Sequence, residues 1–218
     1  MPTILCIETA TTNCSVAIAH NGKTLAVKED YSGNYSHAEK LHLFIRDILE
    51  ENNLKLSNLD AVAISTGPGS YTGLRIGVSA AKGLCFSLDI PLISVPTLTA
   101  LANQVEQSGA VIPMLDARRM EVYAAVFNSG KEQILKTSAI ILEPDSFQEY
   151  LDVGQVYFIG SGVEKFQKIC SHPNANFIEN KLPSSREMVE IATNKYKISD
   201  FENVAYFEPF YLKDFIAG

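Results

Sequence analysis

The sequence has no tryptophan, only four cysteines and four histidines, and no CxxC spacing. Cysteines that lack this spacing and lie in apolar runs are typical of reduced, buried thiols, with disulfides or a zinc site as the alternatives. A long hydrophobic run is also lacking, because the start, MPTILCIETATT, has no basic segment and turns polar after Ile7. We therefore expect neither a signal peptide nor a membrane span there, and a cytoplasmic protein.

Positive charge is scarce as well. The chain has 18 Lys and Arg against 25 Asp and Glu, which gives a formal net charge of −7. A protein that binds nucleic acid without a partner usually has a stripe of basic residues, because most of its affinity comes from the neutralisation of phosphates. The one dense basic spot in the sequence is Arg118-Arg119. If RNA is part of the function, we expect something other than this chain to hold it.

An internal repeat predicts the architecture. The segment ILCIETATTNCSVAIAHNGK begins at Ile4 and resembles IPMLDARRMEVYAAVFNSGK, which begins at Ile112. The shift of 108 positions places Glu8 on Asp116 and also aligns two Gly-Lys pairs. Each copy has the pattern of a strand ending in an acid, a polar turn, a second strand, and a glycine turn leading to a third. We interpret the repeat as a duplication.

Strands alternate with helices after each copy of the repeat, which predicts an α/β fold with a mixed sheet covered by helices in each lobe. The predicted lobes are 1–105 and 106–200, and the tail 201–218 is a candidate to pack back on the first lobe. Two duplicated lobes of this kind are typical of the actin-like superfamily, with its ribonuclease-H-like halves.

The stretch STGPGSYTGLRIGVSAAKGLC (65–85) is rich in glycine, but it is not a P-loop. Gly67 and Gly73 are six residues apart, and neither Lys-Ser nor Lys-Thr follows. We interpret the glycines as turn-makers that precede a helix over 73–88. That helix is apolar around most of its circumference, which indicates burial on two sides.

Two stripes run along this predicted helix. The bulkier one, expected to face the chain's own sheet, is Leu74, Val78, Ala81, Cys85 and Leu88. The small-residue stripe would let another helix approach closely, and it contains Gly73, Gly77, Ala80 and Leu84. We predict that this second stripe contacts a partner chain, together with Leu41 and Ile45 of a predicted helix over 37–52. The alternative is that both stripes face elements of the same chain.

Four segments together resemble the TsaB (formerly YeaZ) family of bacterial tRNA threonylcarbamoyladenosine biosynthesis proteins: IETATTNCSVAI, STGPGSYTGLRIG, LDARRMEVYAAVF and the tail EPFYL. The resemblance covers nearly the whole chain and is strongest over 1–127. It implies an actin-like subunit without catalytic chemistry, which binds and activates a TsaD-like subunit. The TsaD-like subunit carries the metal and transfers threonylcarbamoyl from its adenylate to N6 of the adenosine 3′ of the anticodon in tRNA.

The resemblance also implies the other partners. They are a TsaE-like ATPase and tRNA, the latter only through the complex, with no membrane. No cofactor is required, and no peptidase activity is expected despite the older glycoprotease label of the superfamily. A homodimer through the same surface is the alternative state of the isolated chain.

Nucleotide chemistry gives the rival function. Glu8 and Asp116 stand where this fold places acids that hold magnesium, and Thr11, Thr12 and Asn13 belong to the first candidate phosphate turn. The second turn, ARRME, lacks the glycines that let a backbone approach phosphate. We keep these five residues as candidates for weak nucleotide binding, but for Glu8 and Asp116 we favour the interpretation that they cap strand ends and brace the cleft. The rival is an ATP-dependent acyl or sugar kinase.

Metal and nucleophile chemistry are not expected. The catalytic relative carries two histidines one helical turn apart, whereas His37 and His42 are five residues apart, about 140° around a helix. No GxSxG elbow occurs, and Ser70 has no histidine near it in sequence, although spatial proximity stays open. We therefore predict no metal ligand and no catalytic residue.

Overall fold

The computed structural model describes residues 2–33 and 36–213, and the chain forms two units, Met1–Ala100 with Pro183–Gly218 and Leu101–Leu182. Within the described ranges, no helix is both long enough and apolar enough to cross a membrane. All four cysteines are buried free thiols, as their spacing predicts.

The first unit is built on a five-stranded mixed sheet in the order β3-β2-β1-β4-β5. The first three strands form an antiparallel meander, and the last two run parallel to the first. The strands are β1 (Thr3–Glu8), β2 (Cys14–His20), β3 (Lys23–Asp30), β4 (Ala61–Ser65) and β5 (Leu92–Val95). The helices are α1 (His37–Glu51), α2 (Tyr71–Leu88) and α6 (Met188–Lys197), with a 3-10 turn at Leu56–Asn58 and a short α3 (Thr97–Ala102) after β5.

The central strand β1 is buried on both faces, which explains its continuous apolar run. Leu5 and Ile7 pack in the cluster that contains the inner residues of α1 and α2. Ile4 and Cys6 point to the opposite face and pack with residues of α6. The sheet of the first unit is thus covered by α1 and α2 on one face and by α6 on the other.

The second unit has a sheet of the order β10-β9-β6-β7-β8. Its strands are β6 (Ala110–Asp116), β7 (Glu121–Phe127), β8 (Gln133–Ile141), β9 (Val156–Ile159) and β10 (Ala175–Ile178), and its helices are α4 (Gln148–Leu151) and α5 (Val163–Gln167). Four phenylalanine rings with centroids 4.9 to 6.0 Å apart fill part of its core, namely Phe147, Phe158, Phe166 and Phe177.

The two sheets share one topology. In each, three antiparallel strands are followed by two strands parallel to the first. Glu8 is the last residue of β1, and Asp116 is the last residue of β6. The mixed sheets covered by helices that the sequence predicts are therefore confirmed, and the common topology supports the duplication.

The division into units differs from the predicted lobes at residues 101–105, which belong to the second unit, and at residues 183–200, which the sequence assigns to the second lobe. Here α6 packs on β1 and β5 of the first unit, and its Met188, Val189 and Ala192 are buried there. The chain that follows stays with the same unit, because Glu202 N donates to Leu92 O at 2.8 Å and Phe210 N to Thr66 O at 2.8 Å. The apolar face of α6 requires a sheet face to cover it, and the first unit supplies that face.

Candidate functional site

The glycine-rich turn between β4 and α2 packs against its own chain. A side chain at Gly69 would collide with the carbonyl oxygen of Ala10. Gly67 has a φ of +109°, which L side chains rarely adopt. Ser70 N donates to Ala10 O at 2.6 Å, and Ser70 Oγ accepts from Gly73 N at 3.2 Å as the N-cap of α2. The glycines therefore allow the turn to approach the β1–β2 connection.

The bulkier stripe of α2 faces the core, as the sequence predicts. Leu74, Val78, Ala81 and Cys85 are buried, and Leu88 is half-buried. The small-residue stripe is divided along its length. A side chain at Gly73 would collide with the carbonyl oxygen of Thr9, and one at Gly77 with the Thr9 hydroxyl. The first turns of α2 thus use their glycines for close contact with Thr9, the residue directly after β1.

Four of the six residues predicted to contact a partner are covered by the chain itself. Leu41 and Ile45 are 0% and 5% exposed, and both lie in the core of the first unit. Because Gly73 and Gly77 are also covered by Thr9, these four residues offer no surface to a second chain. The reason is that α1 and α2 turn their smallest and most apolar faces toward the same sheet. Ala80 and Leu84 are half-buried, and they stay candidates for partner contact.

A groove of about 530 Å³ lies between the outer faces of α1 and α2. Its lining residues are Ala38, His42, Tyr71, Thr72, Arg75, Ile76, Ser79 and Ala80. The Arg75 guanidinium lies 5.2 Å from the centre of the Tyr71 ring, and its Nη1 is 3.1 Å from the Tyr71 hydroxyl. Tyr211 also packs against Tyr71, and the centres of the two rings are 5.0 Å apart. The groove therefore has an apolar floor and one ordered cationic edge.

The two strand-end acids each cap the turn that follows them. Glu8 is fully buried, and its Oε1 accepts from Ala10 N at 2.6 Å. Burial raises the pKa of Glu8 to about 7, and hydrogen bonds from the backbone of Ala10 and from Ser65 partly oppose that increase. Asp116 is exposed, and its Oδ1 accepts from Arg118 N at 2.6 Å and from Lys165 Nζ at 2.7 Å. Both acids thus bind the backbone nitrogen two residues ahead.

The turn between β1 and β2 holds the remaining nucleotide candidates. Thr11 and Thr12 are half-buried, while Asn13 is fully buried and its Nδ2 donates to Pro183 O at 2.9 Å. Buried oxygens of Glu8 (Oε2) and Asn13 (Oδ1) have no hydrogen-bond partner among the described residues. These atoms belong to the first unit and Asp116 to the second, so nucleotide binding by the five residues stays a prediction.

The two histidines of α1 have separate roles. His37 is 2% exposed, and its Nε2 is 2.7 Å from the carbonyl oxygen of Thr11, which can only accept, so Nε2 carries a proton. Burial lowers the pKa of His37. His42 is exposed and lines the groove. In residues 2–33 and 36–213, no group of three acidic, thiol or imidazole side chains is placed to hold a metal ion.

Sequence reasoning missed the role of His37, which ties α1 to the turn after β1. A histidine at a helix start gives no sequence signal of a carbonyl 26 positions earlier in the chain. It also missed Tyr71 and Arg75 as residues of the groove. The polar edge that Arg75 forms on α2 was the available signal, since a cation beside an apolar helix face often borders a contact surface.

Two matched glycine substitutions on α2 test this packing. We expect Gly73→Ala to lower the free energy of unfolding by roughly 1 to 3 kcal/mol, because the new methyl group meets the Thr9 backbone. Gly83→Ala should raise it by roughly 0.5 to 1 kcal/mol, since the site is open and alanine is the better helix former. Urea unfolding measures both changes. The opposite order of stabilities would contradict the described packing of α2.

Known proteins with similar sequences indicate the family of this chain. A profile of the family described as "TsaD: tRNA N6-adenosine threonylcarbamoyltransferase" matches residues 33–218. The tRNA threonylcarbamoyladenosine biosynthesis protein TsaB of Haemophilus influenzae is 29% identical, over 97% of this chain and 94% of its own length. TsaB of Escherichia coli K12 is 30% identical, over 98% of this chain and 96% of its own length.

Solved structures give the same result. YeaZ from Pseudomonas aeruginosa superposes with a TM-score of 0.84 at 30% identity, covering 97% of this chain and 100% of that chain. A second structure from Pseudomonas aeruginosa, described as an uncharacterized protein with similarity to peptidase YEAZ, has a TM-score of 0.84 at 28% identity. It covers 98% of this chain and 100% of its own.

Proposed function

The chain belongs to the TsaB family of tRNA threonylcarbamoyladenosine biosynthesis proteins, and from this premise we propose that it is a non-catalytic, cytoplasmic subunit that binds and activates a TsaD-like transferase. In this proposal the transferase modifies N6 of the adenosine 3′ of the anticodon. A TsaE-like ATPase completes the system, and the chain itself requires no cofactor.

The groove between α1 and α2 is the observation that carries the proposal. Its floor includes Ile76 and Ala80, which are half-buried, and Leu84 continues the same apolar line along α2. A second helix laid in this groove would bury apolar surface that the isolated unit leaves in water. A homodimer of the isolated chain would use the same groove.

Asp116 and the glycine turn before α2 support a subunit without phosphoryl-transfer chemistry of its own. That chemistry requires an acid free to hold magnesium and turns whose amides surround phosphate. The Asp116 carboxylate instead bonds its own turn and Lys165, and the glycine turn before α2 is filled by the backbone of Ala10.

Reconstitution with its partners tests the proposed function. We expect the chain to co-purify with the TsaD-like subunit of the same cell. Transfer of threonylcarbamoyl from added threonylcarbamoyl adenylate to tRNA, with release of AMP and with the TsaE-like ATPase and ATP present, should occur only when this chain and the TsaD-like subunit are both added. The chain alone should hydrolyse neither ATP nor peptides faster than a heat-treated control. ATP turnover by the chain alone that disappears in Glu8→Ala or Asp116→Ala would favour the kinase-like rival instead.

A further inference from the structure

The hairpin between β6 and β7 turns through two arginines in an unusual backbone conformation. Arg118 and Arg119 have φ values of +72° and +49°, in the left-handed region. Non-glycine residues seldom adopt this region, and Asn and Gly adopt it more readily than residues with long side chains. A turn that keeps arginine at both positions therefore sacrifices local stability, and such an outlier indicates a role for the side chains.

Both guanidiniums are available for binding. Arg118 and Arg119 are exposed, and neither side chain makes a hydrogen bond or ion pair with any residue in the described part of the chain. The side chain of Met120 beside them is 40% exposed. The tip of the hairpin thus presents two adjacent cations to solvent.

A separate ion pair, between Asp116 and Lys165, fixes the base of the turn. Asp116 Oδ1 accepts from Arg118 N and from Lys165 Nζ, and Lys165 Nζ also donates to Glu121 O at 3.2 Å. Ala117 N donates to Glu121 O at 3.0 Å. Since Lys165 already pairs with the Asp116 carboxylate, that acid is not left to neutralise the arginines. The turn is therefore held in shape without use of either guanidinium.

We propose that Arg118 and Arg119 bind phosphates of the tRNA backbone in the assembled complex, an inference that rests on the proposed function. Guanidinium groups carry a permanent charge and match phosphate oxygens with two parallel hydrogen bonds. The chain has a net charge of −7, so its overall field does not attract RNA. Two unpaired cations at one exposed tip provide a local contact that acts at short range.

Replacing both arginines by residues that readily adopt positive φ separates binding from folding. The double variant Arg118→Asn, Arg119→Gly removes both guanidiniums and places there two residues that adopt positive φ more readily than arginine. We expect its melting temperature to equal or exceed that of the wild type, and its co-purification with the TsaD-like subunit to be unchanged. The affinity of the reconstituted complex for tRNA should fall about tenfold. The slope of log affinity against log salt should decrease in magnitude by about 1 to 1.5.

Two further variants serve as controls. Lys136→Ala removes an exposed cation from β8 of the same unit, and it should leave tRNA affinity and salt slope unchanged. Replacing both arginines by lysine keeps the charges but not the paired donors, so it should restore most of the salt slope and only part of the affinity.

The outcomes distinguish this inference from the proposed function. Failure of the wild-type chain to bind the TsaD-like subunit would count against the proposed function. A wild-type complex that forms, and whose tRNA affinity and salt slope are unchanged in the Asn-Gly variant, would overturn the phosphate contact alone. Loss of co-purification in that variant would also overturn it, because the arginines would then contact an acidic protein surface.

Discussion

An Ala81→Glu variant is expected to lose its folded state, whereas Ala80→Glu, one position earlier on α2, is expected to fold and to lose its partner. Ala81 is 0% exposed and lies in the core beside the sheet. A carboxylate there has no room and no partner, and burying an unpaired charge costs several kcal/mol. Ala80 lines the groove, so a longer side chain can reach water in the isolated chain.

The new carboxylate of Ala80→Glu should therefore destabilise the complex, where it would be buried, and not the isolated chain. We expect the affinity for the TsaD-like subunit to drop at least about 100-fold, which corresponds to about 3 kcal/mol. Thermal melts and pull-down measure the two effects. Gly83→Glu adds the same carboxylate at an open position of the same helix and serves as the control. An Ala80→Glu protein that folds and binds like the wild type would remove the groove from the partner surface.

The repeat and the bulkier stripe of α2 could be predicted because each depends on local pattern. A strand that ends in an acid and is followed by a polar turn and a second strand has its signal within about twenty residues. The sheet topology then follows from few alternatives, since connections are short and parallel strands need crossovers. Glu8 and Asp116 therefore appear at equivalent strand ends in the structure.

The partner surface was harder to predict because it depends on which side of a helix faces the sheet. The sequence shows that α2 is apolar on two sides but not that Thr9 fills the space beside Gly73 and Gly77. Leu41 and Ile45 have the same periodicity in a core helix as in an interface helix. The placement of α6 has a similar cause, because its apolar face fits any sheet with an uncovered side.

The second large expected effect is the pH dependence of stability that the buried Glu8 carboxyl causes. Its pKa is about 7 in the folded chain against an ordinary value of 4.5, and the main cause is burial. Below pH 4.5 the carboxyl is protonated in both the folded and unfolded chain, so its full contribution to stability is present. Between these values the unfolded chain ionises first, and stability falls as pH rises. The loss of stability is about 1.4 kcal/mol for each pH unit in this interval. Above pH 7 it levels off at a total of about 3 kcal/mol.

Glu8→Gln removes this titration and keeps the size of the side chain. Its free energy of unfolding, relative to wild type, should rise by about 3 kcal/mol between pH 4.5 and pH 8, measured by urea unfolding. His37 titrates in both proteins, so its contribution cancels in the comparison. Any constant effect of the lost hydrogen bond cancels as well, because only the change with pH is used. Glu164→Gln should show no such rise over this range, because Lys168 lowers the pKa of that exposed carboxyl and its opposite change with pH lies below pH 4.5. Parallel profiles for wild type and Glu8→Gln would mean that the Glu8 carboxylate stays solvated or finds a cation in the folded chain.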